Sequence, residues 1–244
     1  MRSETENAEA DETQRTYARL VGFLFLAAIV LAFGGGEILS RVAGSGTFAE
    51  IAPRIAAGER LYRVALSLQL IAILSGALFF FALYVTLRPV NRRLALLAMI
   101  FALLDTPLGL LVRMLGFMRL QVYISAQQAG AGTMPMSSLS DLLRNIATTT
   151  ENIGGIPFGI GLLLFFYLFW KSRYIPRLLS GIGVLAWVLW IAMYLASLVF
   201  PENRGLFLSI CYPPMALVLV VTGFWLMIFT IKTDQPAQRA ALPG

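Results

Sequence analysis

Residues 87–119 read LRPVNRRLALLAMIFALLDTPLGLLVRMLGFMR: a basic turn with a proline, then a long apolar run that contains Asp105 and Arg113. From Leu94 to Met118 the run is 25 residues, about 37 Å as a helix at roughly 1.5 Å per residue, which exceeds the ~30 Å hydrocarbon core of a bilayer. Its thirteen Leu, Ile, Val and Phe favour insertion by about 4 to 8 kcal/mol, whereas Asp105 and Arg113 each oppose it by about 2.5 to 3.5 kcal/mol near the centre. The two sums nearly cancel. A span so close to balance needs neighbouring helices, with its polar face turned toward them. The stretch therefore predicts a polytopic membrane protein.

Composition agrees. The chain has 244 residues, 58 % of them hydrophobic and 13 % charged, with a mean hydropathy of +0.77, values that exclude an ordinary soluble domain. The formal charge of +6 rests on nineteen Lys and Arg. They sit mainly in short turns between apolar segments, which points to orientation in a bilayer rather than to nucleic-acid binding. One cysteine, Cys211, leaves no intrachain disulfide and no cysteine-based metal cluster, and the absence of histidine removes the commonest proton shuttle and metal ligand. No cofactor is expected. There is no HExxH, no GxSxG, no phosphate-cradling loop and no nucleophile beside a base, so the balance leans away from an enzyme.

Working outward, six spans are predicted at about 17–38, 62–86, 94–118, 152–170, 178–200 and 206–231, between a disordered acidic tail at 1–16 and a polar tail at 233–244. Phe48, Ile51 and Ile55 recur at helical spacing, which suits a short amphipathic helix at the interface. Ser138 with Asp141 three residues on, and Leu139, Leu142, Leu143 and Ile146 on one face, predicts a second one. The fold class is all-α, six transmembrane helices with two short amphipathic helices on the extracytoplasmic side. Both tails and the turns at Arg88–Arg93 and Lys171–Arg177, with Arg19 and Lys232 at the adjoining span ends, hold eleven Lys and Arg against seven in the opposite loops and at Arg63 beside them, which predicts both termini in the cytoplasm. Gly155 and Gly159 form a GxxxG pair, and Gly181, Gly183 and Ala186 are further small contact positions.

LRPVNRRLALLA and, some eighty residues on, KSRYIPRLLSGIGVLA resemble the bacterial integral membrane family catalogued as domain of unknown function 4386 (DUF4386). Leu87, Arg88, Pro89, Val90 and Asn91 carry the likeness in the first turn, with Ser172, Pro176, Arg177 and Leu178 in the second. The resemblance covers about Tyr62 to Leu195. It implies a multi-helix protein of a bacterial cytoplasmic membrane with no established activity. Many members carry a histidine near the start of the fourth span, where this chain has Thr148–Asn152 instead.

The candidate polar residues are Asp105, Arg113, Gln69, Glu37, Glu151, Asn152 and Tyr212. Counting residues along each span puts Glu37, Arg113, Glu151 and Asn152 near the outer boundary, Gln69 and Tyr212 about 10 Å inside it, and Asp105 near the midplane. Asp105 and Arg113, eight residues apart, lie about 12 Å apart along the helix and do not face each other. Asp105 then needs a partner such as Gln69 or Tyr212, or carries a proton or cation. Arg113 either anchors an anionic head group or snorkels to the interface, with Glu37 or Glu151 as counter-charge. Glu151 also has capping-box spacing from Thr148, and capping is the preferred reading for it. Pro213 and Pro214 break the last span. Trp187, Trp190 and Tyr194 read as core filling, and Gly109 as room for a neighbouring helix.

The resulting expectation is a non-enzymatic module with an outward-facing polar pocket that binds a lipid or another hydrophobic or anionic amphiphile, or serves as an accessory subunit. A small proton- or ion-coupled transporter using Asp105 is the alternative, and an intramembrane enzyme the next. Membrane lipids are the expected partners, with a homo-oligomer or a membrane partner subunit as further candidates.

Overall fold

The computed structural model describes residues 2–128 and 134–228. Seven α-helices and one 3-10 turn follow one another: α1 (Arg2–Ala43), α2 (Phe48–Ala57), α3 (Glu59–Leu87), α4 (Arg92–Gln128), α5 (Met134–Ser172), α6 (Arg177–Val199), the turn Pro201–Asn203 and α7 (Arg204–Ile228). There is no strand among the described residues. Six helices are long and apolar enough to cross a membrane, over Arg19–Ala43, Glu59–Leu87, Arg92–Gln128, Pro135–Ser172, Arg177–Val199 and Pro201–Ile228. The protein is a multi-pass membrane protein.

Two expectations need correction, and the tail beyond Lys232 lies outside the described residues. The backbone is helical from Arg2, where the sequence reads as a disordered tail. That stretch has four Glu and no Gly or Pro, so once the apolar part of α1 is helical no helix breaker stops it from continuing back. The second amphipathic helix is not a separate element, because α5 runs unbroken from Met134 to Ser172. Of its supposed apolar face only Leu143 is buried, while Leu139, Leu142 and Ile146 are exposed. The long α5 pairs instead with the equally long α4. Across that extension the Ser140 hydroxyl donates to the Tyr123 hydroxyl at 3.2 Å, which also accepts from Arg119 at 2.8 Å.

The ten-residue α2 sits on the same end of the bundle. Thr47 N–H donates to the Glu50 carboxylate at 2.8 Å at its start, Phe48 stacks on Tyr123 with ring centres 5.3 Å apart, and Ala52 and Ile55 are buried. This end is called the α2 end here; the other carries the basic turns after α3 and α5.

Each long helix packs on the one before and after it, and α1 packs on α7, so the six close into a ring in chain order. Small residues set the closest approaches. A Cβ on Gly161 of α5 would lie 2.5 Å from the Ala102 nitrogen and 2.7 Å from the Ala98 carbonyl of α4, and one on Gly22 of α1 would lie 2.6 Å from the Gly223 carbonyl of α7. Gly155 and Gly159 meet Tyr194 and Trp190 of α6, and Gly109 faces Ile73 of α3, so these positions serve helix contact. Toward the basic turns the ring is filled by Leu83, Leu87, Phe165, Phe169 and Trp187, each 2 % exposed or less.

Because both of Gly161's neighbours are backbone or a methyl on backbone, Gly161→Val has no flexible side chain to displace. It is expected to destabilise the detergent-solubilised protein by about 1 to 3 kcal/mol through overpacking. Gly34, with nothing within 4 Å of its position, should accept Ala without loss. Thermal unfolding of the two variants side by side checks this.

Candidate functional site

Four helices bring charged or amide side chains together near the α2 end. Arg113 of α4 donates through Nη1 to the Gln69 Oε1 of α3, and its Nη2 lies 3.6 Å from Glu151 Oε1 of α5. The other Glu151 oxygen accepts from Arg204 Nη2 of α7 at 2.9 Å, and Arg204 Nε donates to Asn152 Oδ1 at 3.0 Å. One carboxylate is thus shared by two guanidinium groups on different helices. The buried Arg113 Nε–H has no acceptor among the described residues, so Gln69 and Glu151 do not satisfy the group completely.

Beside this network, Tyr194 of α6 and Tyr212 of α7 both pack on Trp190 of α6, with ring centres 4.9 and 5.1 Å away. The Trp190 Nε1–H donates to the Gly155 carbonyl at 3.0 Å. The tryptophan therefore fills the core, as expected, and also satisfies a backbone carbonyl.

Asp105 behaves differently from every other member. It takes no hydrogen bond or ion pair among the described residues, although Glu151 and Arg113 are both within electrostatic range. Gly154 of α5 makes room for it: a Cβ there would run into the Asp105 carboxylate. Asp105 lines a cavity of about 290 Å³ inside the ring. Gln69, Thr106 and Arg113 share its wall, and the rest is apolar, with Phe25, Ile29, Phe33, Ile73, Phe80 and Phe158 prominent. Chemically the cavity is amphipathic: a guanidinium, an amide, a hydroxyl and a carboxylate on one part, aromatic and aliphatic surface on the remainder.

The model of the family described as Domain of unknown function (DUF4386) matches residues 20–229. The chain belongs to the DUF4386 family. No curated protein and no solved structure matches it. In this DUF4386 protein, Asp105, Arg113 and Gln69 line the cavity, whereas Glu151 and Asn152 hold Arg113 and Arg204 and Tyr212 packs on Trp190.

Glu37 is outside the cluster, 61 % exposed and paired with Arg41 one turn along α1 at 2.7 Å. It is not the counter-charge of Arg113. The local partner wins because an i, i+4 pair on one helix needs no tertiary arrangement. Glu151 is not a cap either, since α5 has no N-terminus near Thr148. Neither Gln69 nor Tyr212 bonds to Asp105; the Gln69 amide oxygen is turned to Arg113 instead. Arg204 was not among the expected site residues, although an arginine opening an apolar span directly after Pro201–Asn203 is itself a signal of a buried counter-charge.

Removing the shared carboxylate leaves two cations facing each other. A fully buried pair broken this way costs about 3 to 5 kcal/mol. The side chains here are 21 to 37 % exposed, so screening lowers the expected loss for Glu151→Gln to about 1 to 3 kcal/mol. Adding Arg204→Gln should restore part of it. A double-mutant cycle on melting temperature reads the coupling directly, and strict additivity would contradict the shared-carboxylate arrangement.

Proposed function

We propose that this protein binds a membrane amphiphile, a lipid or lipid-like molecule, in its central cavity and acts by binding rather than by chemistry. The single observation that supports this reading most is the amphipathic lining of the cavity. Gln69, Asp105, Thr106 and Arg113 offer a head group both donors and an acceptor, and the phenylalanine-rich remainder offers an apolar chain a surface. The excess of Lys and Arg at the basic-turn end supports a topology with both termini in the cytoplasm of a bacterium and the α2 end, with its polar pocket, facing outward across the cytoplasmic membrane.

Gly76 provides a clean test because it lines the cavity and a side chain there enters open space. Native mass spectrometry and lipid extraction of the detergent-purified protein should find a retained amphiphile near one per chain. Gly76→Phe should lose most of it while melting at the same temperature. A parent protein that retains nothing, or a Gly76→Phe variant that retains as much, overturns the proposal.

A second reading, a proton- or ion-coupled transporter, draws on Asp105, an acid in a bundle interior with no hydrogen-bond partner among the described residues. Under it, Asp105→Asn abolishes proton-driven solute flux in proteoliposomes; flux that survives the substitution removes this reading. Catalysis has less to work with, since the carboxylate nearest Asp105 that could complete an acid–base pair is Glu151, already shared between two arginines.

A further inference from the structure

Helices α1 and α7 are in close contact over only part of their length. At the basic-turn end Gly22 meets the Gly223 carbonyl, and Gly223 in turn packs on Phe25 and Leu26. On α1, residues 22, 26, 29 and 33 share that face. Yet Phe33, at its far end, is 56 % exposed while lining the cavity, and Ala32 beside it is likewise exposed and cavity-lining. A wall residue that is also exposed marks an opening.

The α7 side agrees. Residues 209, 216 and 223 fall seven apart and share a face. Gly223 is buried against α1, but Ser209 is exposed and Gly205 has nothing within 4 Å. No α7 residue before Met215 is buried, whereas Met215, Val218, Leu219, Thr222, Gly223 and Leu226 all are. Between the two regimes stand Pro213 and Pro214, which lack backbone N–H donors and bend a helix. From Gly22 to Phe33 is about 16 Å of helix and from Gly223 back to Pro213 about 15 Å, so the exposed wall begins level with the prolines. On the other flank α1 stays closed: a Cβ on Gly35 would lie 2.8 Å from the Ala65 carbonyl of α3.

The helices flanking the gap are apolar. Val30 is 69 % exposed and Phe33 56 % on α1, and Leu206 59 % and Ile210 61 % on α7. Such surfaces suit acyl chains, not water. The cavity, about 290 Å³, is at the low end of small-molecule pockets at roughly 300–1,000 Å³. It has room for a head group but not for two acyl chains.

We propose that the ligand is a bilayer glycerophospholipid that enters sideways through the gap between α1 and α7, seats its head group at Gln69, Asp105 and Arg113, and leaves its acyl chains in the membrane. The inference rests on the amphiphile-binding reading and adds the source and the route. A phosphate on the lipid meets Arg113, and an amine or hydroxyl in the head group donates to Asp105, the acceptor that the protein leaves free.

The test ties the gap shut. In a Cys211→Ser background, Val30→Cys and Ile210→Cys, which flank the gap outside the cavity lining, are joined by a reducible bifunctional maleimide, and the protein is placed in vesicles doped with a phosphatidylethanolamine carrying a diazirine near its glycerol. After irradiation, peptide mapping should find the probe on cavity residues such as Phe25, Ile73 and Phe158 in the unlinked protein. It should be absent from them in the linked protein and return once the linker is reduced, with the melting temperature unchanged by linking. Equal labelling of linked and unlinked protein overturns the sideways route and leaves cavity binding standing. So does a short-chain, water-soluble version of the probe that labels both forms as well as the vesicle-borne lipid labels the unlinked one. No cavity labelling in any condition overturns the route and the amphiphile-binding reading together.

Discussion

A carboxylate inside an apolar bundle has only the side chains around it to draw counter-charges from, because the lipid outside offers neither hydrogen bonds nor ions. Glu151 meets that constraint by lying between Arg113 of α4 and Arg204 of α7. Arg113 reaches on to Gln69 of α3, and Arg204 turns back to Asn152 on the helix of Glu151 itself. Four of the six spanning helices are thereby tied at one level. Changing any one of these groups leaves another unpaired, so the network sets the relative positions of helices whose apolar faces alone would allow sliding.

The same arrangement explains why the ring is not filled throughout. Toward the basic turns, large residues such as Phe165, Phe169 and Trp187 occupy the interior and are fully buried. Toward the α2 end the wall carries Ala28, Ala32, Ala72 and Gly76, side chains too short to meet across a ring of six. Space remains there, and Asp105 faces it from α4. Charge pairing fixes the rim, small residues open the interior, and the aromatic plug closes its floor. A binding function follows more readily from that combination than a catalytic one, since the acidic group left free stands alone.

Much of this was legible beforehand. The apolar runs with their basic, proline-bearing turns placed the spans, and an insertion balance near zero already required Asp105 and Arg113 to face inward. The glycine pairs of α5 and α6 marked real helix contacts. What escaped were features whose signal is not periodic. Residues 134–150 carry enough Leu and Ser to pass for an interfacial helix; they continue α5 because the long α4 gives them something to pair with. Glu151 had the spacing of a cap, a local pattern that any mid-helix glutamate can show by chance. Depth counted from span ends misplaced Arg113 relative to Gln69, because α4 extends to Gln128, well past the apolar run.

By itself the sequence determined that most of this chain crosses lipid, how many times, and that Asp105 and Arg113 turn inward rather than to lipid, because those properties follow from residue-by-residue transfer energies that hold in any packing. Only the tertiary structure decided which charge meets which, that Asp105 is left facing a cavity, and that Phe33 of α1 lines that cavity while remaining exposed. These are matters of distance between segments up to about two hundred residues apart. No local pattern encodes such distances; they emerge when six helices satisfy their apolar faces and their polar groups at once.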